Sequence, residues 1–278
     1  RDKVERIDGS IKTKMNITIA PNEPVEIRRL ELENMGNEEE ILEVSSYFEP
    51  VLSEKEQDYA HPAFNNLFLV YDFDEKTNSL IVKRKNRIPG KEEIYLGINL
   101  YTECEIIGDL EYEIDKEKLI GRGNLGIPKM IQNSIPFSRK LGLVTEPIVA
   151  VKRTIRIQPK QKVILDLIIS VKEDRETVIE NLEKYKNSEN VRRTFELSRA
   201  RVEEESRYLN LKGKEIETYQ KILSYIIFDN PSKSIKMEKV PKQSYKQSEL
   251  WKYGISGDFP IILVKIKDVN DSYVIEEM

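Results

Sequence analysis

Apolar and polar side chains alternate through most of residues 1–172, and this period of two is the feature that most restricts the fold. Residues 11–19 show it most clearly, because the odd positions hold Ile, Thr, Met, Ile and Ile while the even positions are all polar. Successive side chains of a strand point to opposite faces of a sheet, so this pattern is typical of a half-buried strand. No pattern of helical length interrupts the region.

Turn residues divide the rest of this region into short strands. Strands are predicted over residues 25–32, 41–52, 67–73, 80–85, 94–101, 150–157 and 163–171. The apolar phase shifts at Arg28-Arg29, which suggests a β-bulge. The last two strands flank Gln158-Pro159-Lys160-Gln161 and are predicted to form a hairpin. Many short strands without helices predict a mainly β fold, an antiparallel β-sandwich.

The period changes to that of helices at Glu173. Val178, Leu182 and Tyr185 share one helical face behind a candidate N-cap at Asp174. Two further helical patterns follow, and each has an apolar stripe that needs a partner surface. We therefore divide the chain into a β-sandwich domain at 1–172, a helical linker at 173–231 and a further segment at 232–278.

Composition excludes several classes of function. The formal net charge of −4 leaves no electrostatic footprint for nucleic acid, so no such partner is expected. No apolar run reaches the length of about eighteen residues that a transmembrane helix needs. His61 is the only histidine and Cys104 the only cysteine, so no metal site is expected. A lone cysteine also fits a reducing compartment, and we expect a cytoplasmic location.

The segment from Leu250 to Val264 combines the only Trp with two glycines, a carboxylate and a proline. Glycines let a backbone approach a ligand closely. A sugar offers hydroxyls to a carboxylate and C–H faces to a ring, so Asp258 and Trp251 are candidate substrate contacts. The alternative is that Asp258 caps its own turn and that Trp251 packs in a domain junction.

A second candidate site is the loop Gly121-Arg122-Gly123-Asn124. Its glycines allow flexibility, and Arg122 presents a guanidinium that can reach phosphate or a sugar hydroxyl. Asn124 is a further candidate contact in the same loop. The loop is a poor match to a phosphate-binding loop, because it lacks the GxxxxGK[ST] pattern and a clear following helix.

Six segments, in this order along the chain, resemble those of glycoside hydrolase family 94, formerly called glycosyltransferase family 36. They are Asp8-Gly9-Ser10-Ile11-Lys12-Thr13, Val25-Glu26-Ile27-Arg28-Arg29-Leu30, Glu43-Val44-Ser45-Ser46-Tyr47, Ala60-His61-Pro62-Ala63-Phe64-Asn65, Leu119-Ile120-Gly121-Arg122-Gly123 and the Leu250 to Val264 segment. The resemblance is to the branch of β-1,2-oligoglucan phosphorylases and cyclic β-1,2-glucan synthases. It runs from about residue 8 to the end and implies a supersandwich, linker helices and the truncated start of an (α/α)6 catalytic barrel.

The resemblance also implies a parent enzyme that carries out phosphorolysis or transfer of β-linked glucosyl units, with β-1,2-glucan as the expected substrate. In this family the catalytic acid lies deep in the barrel, so no catalytic residue is expected in this chain, and the chain alone is expected to be inactive. Inorganic phosphate would be a co-substrate, with no other cofactor. The expected partners are a β-glucan oligosaccharide, phosphate or glucose 1-phosphate, the rest of the parent chain and a second copy in a homodimer.

The resemblance to the family also implies a role for each of the two candidate sites. By its place in the motif, Asp258 resembles the carboxylate that accepts hydrogen bonds from the donor glucose. Loops similar to Gly121-Arg122-Gly123-Asn124 reach the mouth of the active site in relatives, sometimes that of the neighbouring subunit.

Two other classes of function remain open at this point, because a β-sandwich by itself does not define a function. One is a stand-alone carbohydrate-binding or interaction module, and the other is a scaffold without sugar affinity. The coding sequence after Met278 would discriminate, since a barrel with its acid indicates the enzyme and a stop codon indicates the module. Titration with oligoglucans would separate the module from the scaffold.

Overall fold

A computed structural model describes residues 2–86, 90, 92–227, 246–259, 261, 263 and 268 of the chain. The chain divides into two compact units, Arg1–Glu205 and Ser206–Met278, which are described separately. None of the helices in the described ranges is both long and apolar enough to cross a membrane.

Ten strands in the described part of the first unit form two antiparallel sheets. The strands are β1 Asp2–Asp8, β2 Ile11–Ile19, β3 Val25–Asn34, β4 Glu40–Phe48, β5 Leu69–Asp74, β6 Ser79–Arg84, β7 Ile94–Thr102, β8 Ile106–Asp115, β9 Pro147–Ile157 and β10 Lys162–Lys172. The larger sheet has the order β1-β2-β3-β10-β7-β6-β5, and the smaller has the order β4-β9-β8. The prediction of a mainly β, antiparallel fold is confirmed, although β1 and β8 were not among the predicted strands.

The two sheets enclose one apolar core. Alternate residues of the larger sheet, such as Leu80, Val82 and Ile98, face alternate residues of the smaller sheet, such as Val151 and Ile155, and all five are buried. This is the arrangement of a β-sandwich, in which each strand contributes every second side chain to the interior.

The opposite face of the larger sheet is covered by helices α5 (Arg175–Lys184) and α6 (Ser188–Tyr208). The Asp174 side chain accepts a hydrogen bond from the backbone of Thr177 at 2.8 Å, so the predicted cap starts α5. Val178 and Leu182 are completely buried in a second core against this face. Helix α7 (Gly213–Ile227) belongs to the second unit. The division at 172 and 231 into sandwich, linker and barrel segment stays a prediction.

The predicted bulge at Arg28-Arg29 is wrong. Strand β3 pairs with β2 and with β10 in an unbroken register through these residues. The apolar phase shifts for another reason: Val25 and Ile27 are buried beneath the helices, whereas Leu32 faces the sandwich core. One continuous strand therefore changes the face that it buries, which a phase argument cannot distinguish from an inserted residue.

The predicted hairpin of residues 150–157 and 163–171 is also wrong, although both strands exist. Strand β9 pairs with β4 and β8, whereas β10 pairs with β3 and β7. The turn is present, since the Gln161 N–H donates to the Gln158 carbonyl at 3.1 Å. It carries the chain from one sheet to the other, so consecutive strands lie in opposite layers of the sandwich.

A buried ion pair ties α6 to the larger sheet. The Arg29 guanidinium donates to both carboxylate oxygens of Asp166, at 2.8 and 2.7 Å, and to the Ser188 hydroxyl at 3.2 Å. Burial raises the pKa of Asp166, and the hydrogen bonds from Arg29 oppose that rise without cancelling it. The pair therefore marks the point where the first helical residue of α6 meets the sheet.

Candidate functional site

The Arg122 loop lies in a long excursion between β8 and β9, residues 116–146, which includes helices α3 (Lys116–Ile120) and α4 (Lys129–Gln132). Leu119, Met130 and Phe137 from this excursion are buried against Ile148 and Ala150 on the outer face of the smaller sheet. The excursion is thus the cover of the smaller sheet, as the α5 and α6 helices are the cover of the larger one.

Gly121 ends α3 in a conformation that only glycine accepts here. Its φ is +86°, and a Cβ at this position would lie 2.3 Å from the Cδ of Lys129. The following turn is shaped by Asn124, whose amide nitrogen donates to the carbonyls of Ile120 and Ile127 at 3.0 and 2.8 Å. The Asn124 side-chain oxygen accepts from the Gly126 N–H at 3.0 Å. Asn124 is therefore committed to the loop itself.

Arg122 is exposed at the tip of this loop, and its side chain makes no hydrogen bond or ion pair within the described ranges. The neighbouring Leu125 is also fully exposed. The loop therefore holds the backbone in place through Asn124 and leaves the Arg122 guanidinium available to a ligand or partner.

A cluster of charged side chains, Lys152 with Glu43 and Glu111, fixes the second half of the excursion, and we call it the clamp. We call residues 135–139 the strap. The Lys152 ammonium lies 3.0 Å from a Glu43 oxygen and 3.3 Å from a Glu111 oxygen, and it also lies 5.0 Å from the centre of the Phe137 ring. Lys152 is only 2% exposed. Its neighbours are therefore what make a buried charge tolerable at this position.

Backbone bonds complete the clamp. The Phe137 N–H donates to Glu111 at 2.6 Å, and the Ser138 N–H donates to Glu113 at 3.3 Å. Glu113 is itself fully buried. Sequence reasoning missed this cluster, although the strongly apolar run of β9 is interrupted by Lys152 and that interruption was a visible signal.

The second candidate pair lies in a short segment of the second unit. A 3-10 helix, Gln247–Tyr253, ends at Gly254, which adopts a left-handed conformation with φ +73°. The chain then folds back, because the Trp251 indole N–H and the Gln247 amide both donate to the Ser256 carbonyl, at 3.3 and 3.0 Å. The turn of Gly254 therefore brings Ser256 and the following residues to Trp251.

Asp258 is exposed at the end of this turn. Its Oδ1 accepts from the Gln247 amide at 3.2 Å, and its backbone N–H donates to the Ser256 hydroxyl at 3.3 Å. Trp251 is 65% exposed, and Tyr253 and Phe259 are exposed as well. The structure thus brings a carboxylate and an open aromatic surface together on one turn, separately from Arg122 and Asn124, which belong to the other unit.

The described residues contain no group of three or more His, Cys, Asp and Glu side chains arranged to hold a metal ion. His61 is exposed between the short helices α1 (Lys55–Ala60) and α2 (Pro62–Asn66). Cys104 is partly buried at the edge of the sandwich core, with its sulfur 3.1 Å from the Thr102 hydroxyl.

Two antiparallel sheets around one core, with helices on the larger sheet, define the class of β-supersandwich domains. A family model described as glycosyl hydrolase 94, supersandwich domain, matches residues 1–188. The chain belongs to glycoside hydrolase family 94, and it is a domain of a carbohydrate-active enzyme. The resemblance seen in the six segments is therefore confirmed.

A curated relative covers nearly the whole chain. The chain is 27% identical to the cyclic β-(1,2)-glucan synthase NdvB of Rhizobium meliloti (strain 1021), over 99% of this chain but only 10% of that protein. Two solved structures are more distant. A polysaccharide lyase is 15% identical over 66% of this chain and 23% of its own, with a TM-score of 0.39. A protein described as a kojibiose phosphorylase, from the human microbiome, is 7% identical over 81% of this chain and 23% of its own, with a TM-score of 0.32.

Proposed function

We propose that this chain is the sandwich and linker part of an enzyme that carries out phosphorolysis or transfer of β-linked glucosyl units, with β-1,2-glucan as the substrate. The observation that carries the proposal is the supersandwich match over residues 1–188, together with the similarity of 99% of this chain to a part of a cyclic β-(1,2)-glucan synthase. The segments after Glu173 serve as the linker and as the start of an (α/α)6 catalytic barrel. The parent enzyme acts in the cytoplasm.

The proposed chemistry needs one acid that this chain does not supply. An inverting glycosidase uses a second carboxylate to activate water. Inorganic phosphate is already an anionic nucleophile, so in phosphorolysis it attacks the anomeric carbon directly and one acid protonates the leaving oxygen. Glucose 1-phosphate is the product. We assign that acid to the barrel of the parent and no catalytic residue to this chain.

The candidate contacts receive separate roles in this proposal. Asp258 accepts hydrogen bonds from the glucose hydroxyls, since its carboxylate is exposed and already oriented by Gln247. Trp251 offers its exposed ring to a C–H face of the sugar. Arg122 reaches phosphate or an acceptor hydroxyl from the excursion, and Asn124 contributes by shaping the loop. The sandwich supports the barrel, closes one side of the active site and contributes to a homodimer interface.

Phosphate-dependent release of glucose 1-phosphate from β-1,2-gluco-oligosaccharides tests this proposal. We expect the parent enzyme to be active and the isolated chain of 278 residues to be inactive, because the acid is absent from it. Activity of the isolated chain would contradict the assignment of the acid. A parent without phosphorolysis or glucosyl transfer that still binds glucan would favour the alternative, a stand-alone carbohydrate-binding or interaction module.

Asp258→Ala in the parent enzyme tests the proposed sugar contact. Losing a hydrogen bond to a charged group should lower kcat/KM by about 10- to 100-fold. Glu249→Ala is the control, because Glu249 is an exposed carboxylate in the 3-10 helix that precedes the Asp258 turn, paired with Lys252 at 3.0 Å. Equal kcat/KM for the two variants would show that Asp258 only organises its own turn.

A further inference from the structure

A cleft of about 920 Å³ opens at one end of the sandwich, remote in sequence from both candidate sites. One wall is the inner face of the larger sheet, where Arg84, Ile94 and Val171 stand at the ends of the neighbouring strands β6, β7 and β10. The other wall is the segment that follows β4, with Leu52 and Glu54. Its volume is within the range of about 300–1,000 Å³ that is usual for ligand sites.

The base of the cleft is ordered by Arg84. Its guanidinium donates to the Asn65 side-chain oxygen at 2.8 Å and to the Asn65 carbonyl at 3.2 Å, and it stacks 5.4 Å from the centre of the Phe68 ring. Asn65 is buried, and its amide nitrogen has no hydrogen-bond partner among the residues that the structure describes. Asn65 and Phe68 therefore hold Arg84 in place before any ligand arrives.

Several polar side chains of the cleft are exposed and available to a ligand. Glu54, Gln57 and Glu92 line it, and their side chains make no hydrogen bond or ion pair with any described residue. They share the cleft with the apolar side chains of Leu52 and Val171. The lining therefore alternates between groups that can exchange hydrogen bonds and groups that can pack against C–H surface.

The charges of the described lining residues nearly cancel, since they comprise three carboxylates (Glu54, Glu92 and Glu173) and two cations (Arg84 and Lys85). A strongly anionic ligand gains little in such a site, and a purely apolar ligand would leave the carboxylates without partners. A neutral polyol matches both halves of the lining, because its hydroxyls pair with carboxylates and amides while its C–H faces cover Leu52, Ile94 and Val171.

We propose that this cleft binds a short neutral oligosaccharide and is a second glucan site, built from different residues than the Asp258 turn and the Arg122 loop. The choice of β-1,2-glucan as its ligand rests on the proposed function. The cleft tethers the polymer on the sandwich, which raises the local concentration of its remaining units for the catalytic domain.

Titration of the chain with a β-1,2-gluco-oligosaccharide, in the Asp258→Ala background, tests the cleft alone. We expect binding to persist in this background and to weaken at least about tenfold when Glu54→Ala and Gln57→Ala are combined, since each removes a ligand hydrogen bond. Glu56→Ala is the matched control, because Glu56 lies on helix α1 together with Gln57 but does not line the cleft. Hydrogen exchange should show ligand protection at residues 52–57 and 84–86.

Three results would contradict the proposal that the cleft binds an oligosaccharide. They are no binding in the Asp258→Ala background, equal affinity of the double variant and the Glu56→Ala control, and ligand protection elsewhere in the chain. None of these depends on turnover. The proposed function fails separately, if the parent enzyme neither phosphorolyses nor transfers glucosyl units, and cleft binding in such a protein would then mark a binding module.

Discussion

Lys152→Met should lower the free energy of unfolding of this chain by about 3 kcal/mol, which is the low end of the range for breaking a buried ion pair. Methionine fills the space of the lysine stem but leaves Glu43 and Glu111 without the cation that lies 3.0 and 3.3 Å from them. Both glutamates retain some solvent contact, and this limits the loss. Urea denaturation followed by circular dichroism measures it.

Lys162→Met is the matched control. The Lys162 ammonium lies 2.6 Å from Glu31, but its side chain is 54% exposed. A pair with an exposed partner contributes about 0–1 kcal/mol, and Glu31 keeps a second cation, Lys14, at 2.7 Å, so this variant should remain close to the wild type. Equal losses for Lys152→Met and Lys162→Met would show that the clamp does not stabilise the fold.

Hydrogen exchange adds a local measurement for the same variant. Two hydrogen bonds hold the strap to the clamp. The Ile135 carbonyl accepts from the Lys152 ammonium at 3.4 Å, and the Phe137 N–H donates to Glu111. Amides of residues 135 and 137–139 should therefore lose more protection in Lys152→Met than those of β10 (Lys162–Lys172), which lose only what the lower free energy of unfolding removes. Uniform acceleration across both sheets would indicate global destabilisation without a clamp.

Gly97→Ala should lower the free energy of unfolding by about 1–3 kcal/mol, the usual range for overpacking a core. Gly97 lies in β7 beneath α5, and an added Cβ would stand 2.6 Å from the Leu182 Cδ1 and 2.6 Å from the Val178 Cγ1. Both side chains are completely buried, so α5 must move away from the sheet to admit one methyl group. Thermal unfolding measures the loss.

Gly126→Ala is the control for the same substitution. The nearest atom to a Cβ at Gly126 is the Asn124 side-chain oxygen, at an ordinary distance of 3.5 Å. We expect a change within about 0.5 kcal/mol, as for most surface substitutions. If Gly97→Ala were as mild as Gly126→Ala, the close packing of α5 on β7 would not contribute measurably to stability.

The sequence predicted the two candidate sites only in part. Arg122 and Asn124 stood out because they share one glycine-rich loop, and Trp251 and Asp258 because they share one turn segment. The sequence could not predict which residue of the first pair is available to a ligand. Only the folded loop shows that the Asn124 side chain is used, because it donates to the carbonyls of Ile120 and Ile127. The cleft was not predicted, because Leu52, Arg84 and Val171 are far apart along the chain and meet only at the end of the sandwich.

The sequence by itself determined eight of the ten strands that the structure describes, the helices after Glu173 and the family, because period, caps and short motifs are local properties of neighbouring residues. Only the tertiary structure decided how the strands divide between two sheets. The alternation of β9 and β10 is the same whether they form a hairpin or lie in opposite layers. The choice depends on which distant strands, β4 and β8 or β3 and β7, cover their buried faces. The same long-range contacts bury Lys152 between two glutamates and place Gly97 under α5, and no local pattern encodes contacts of that kind.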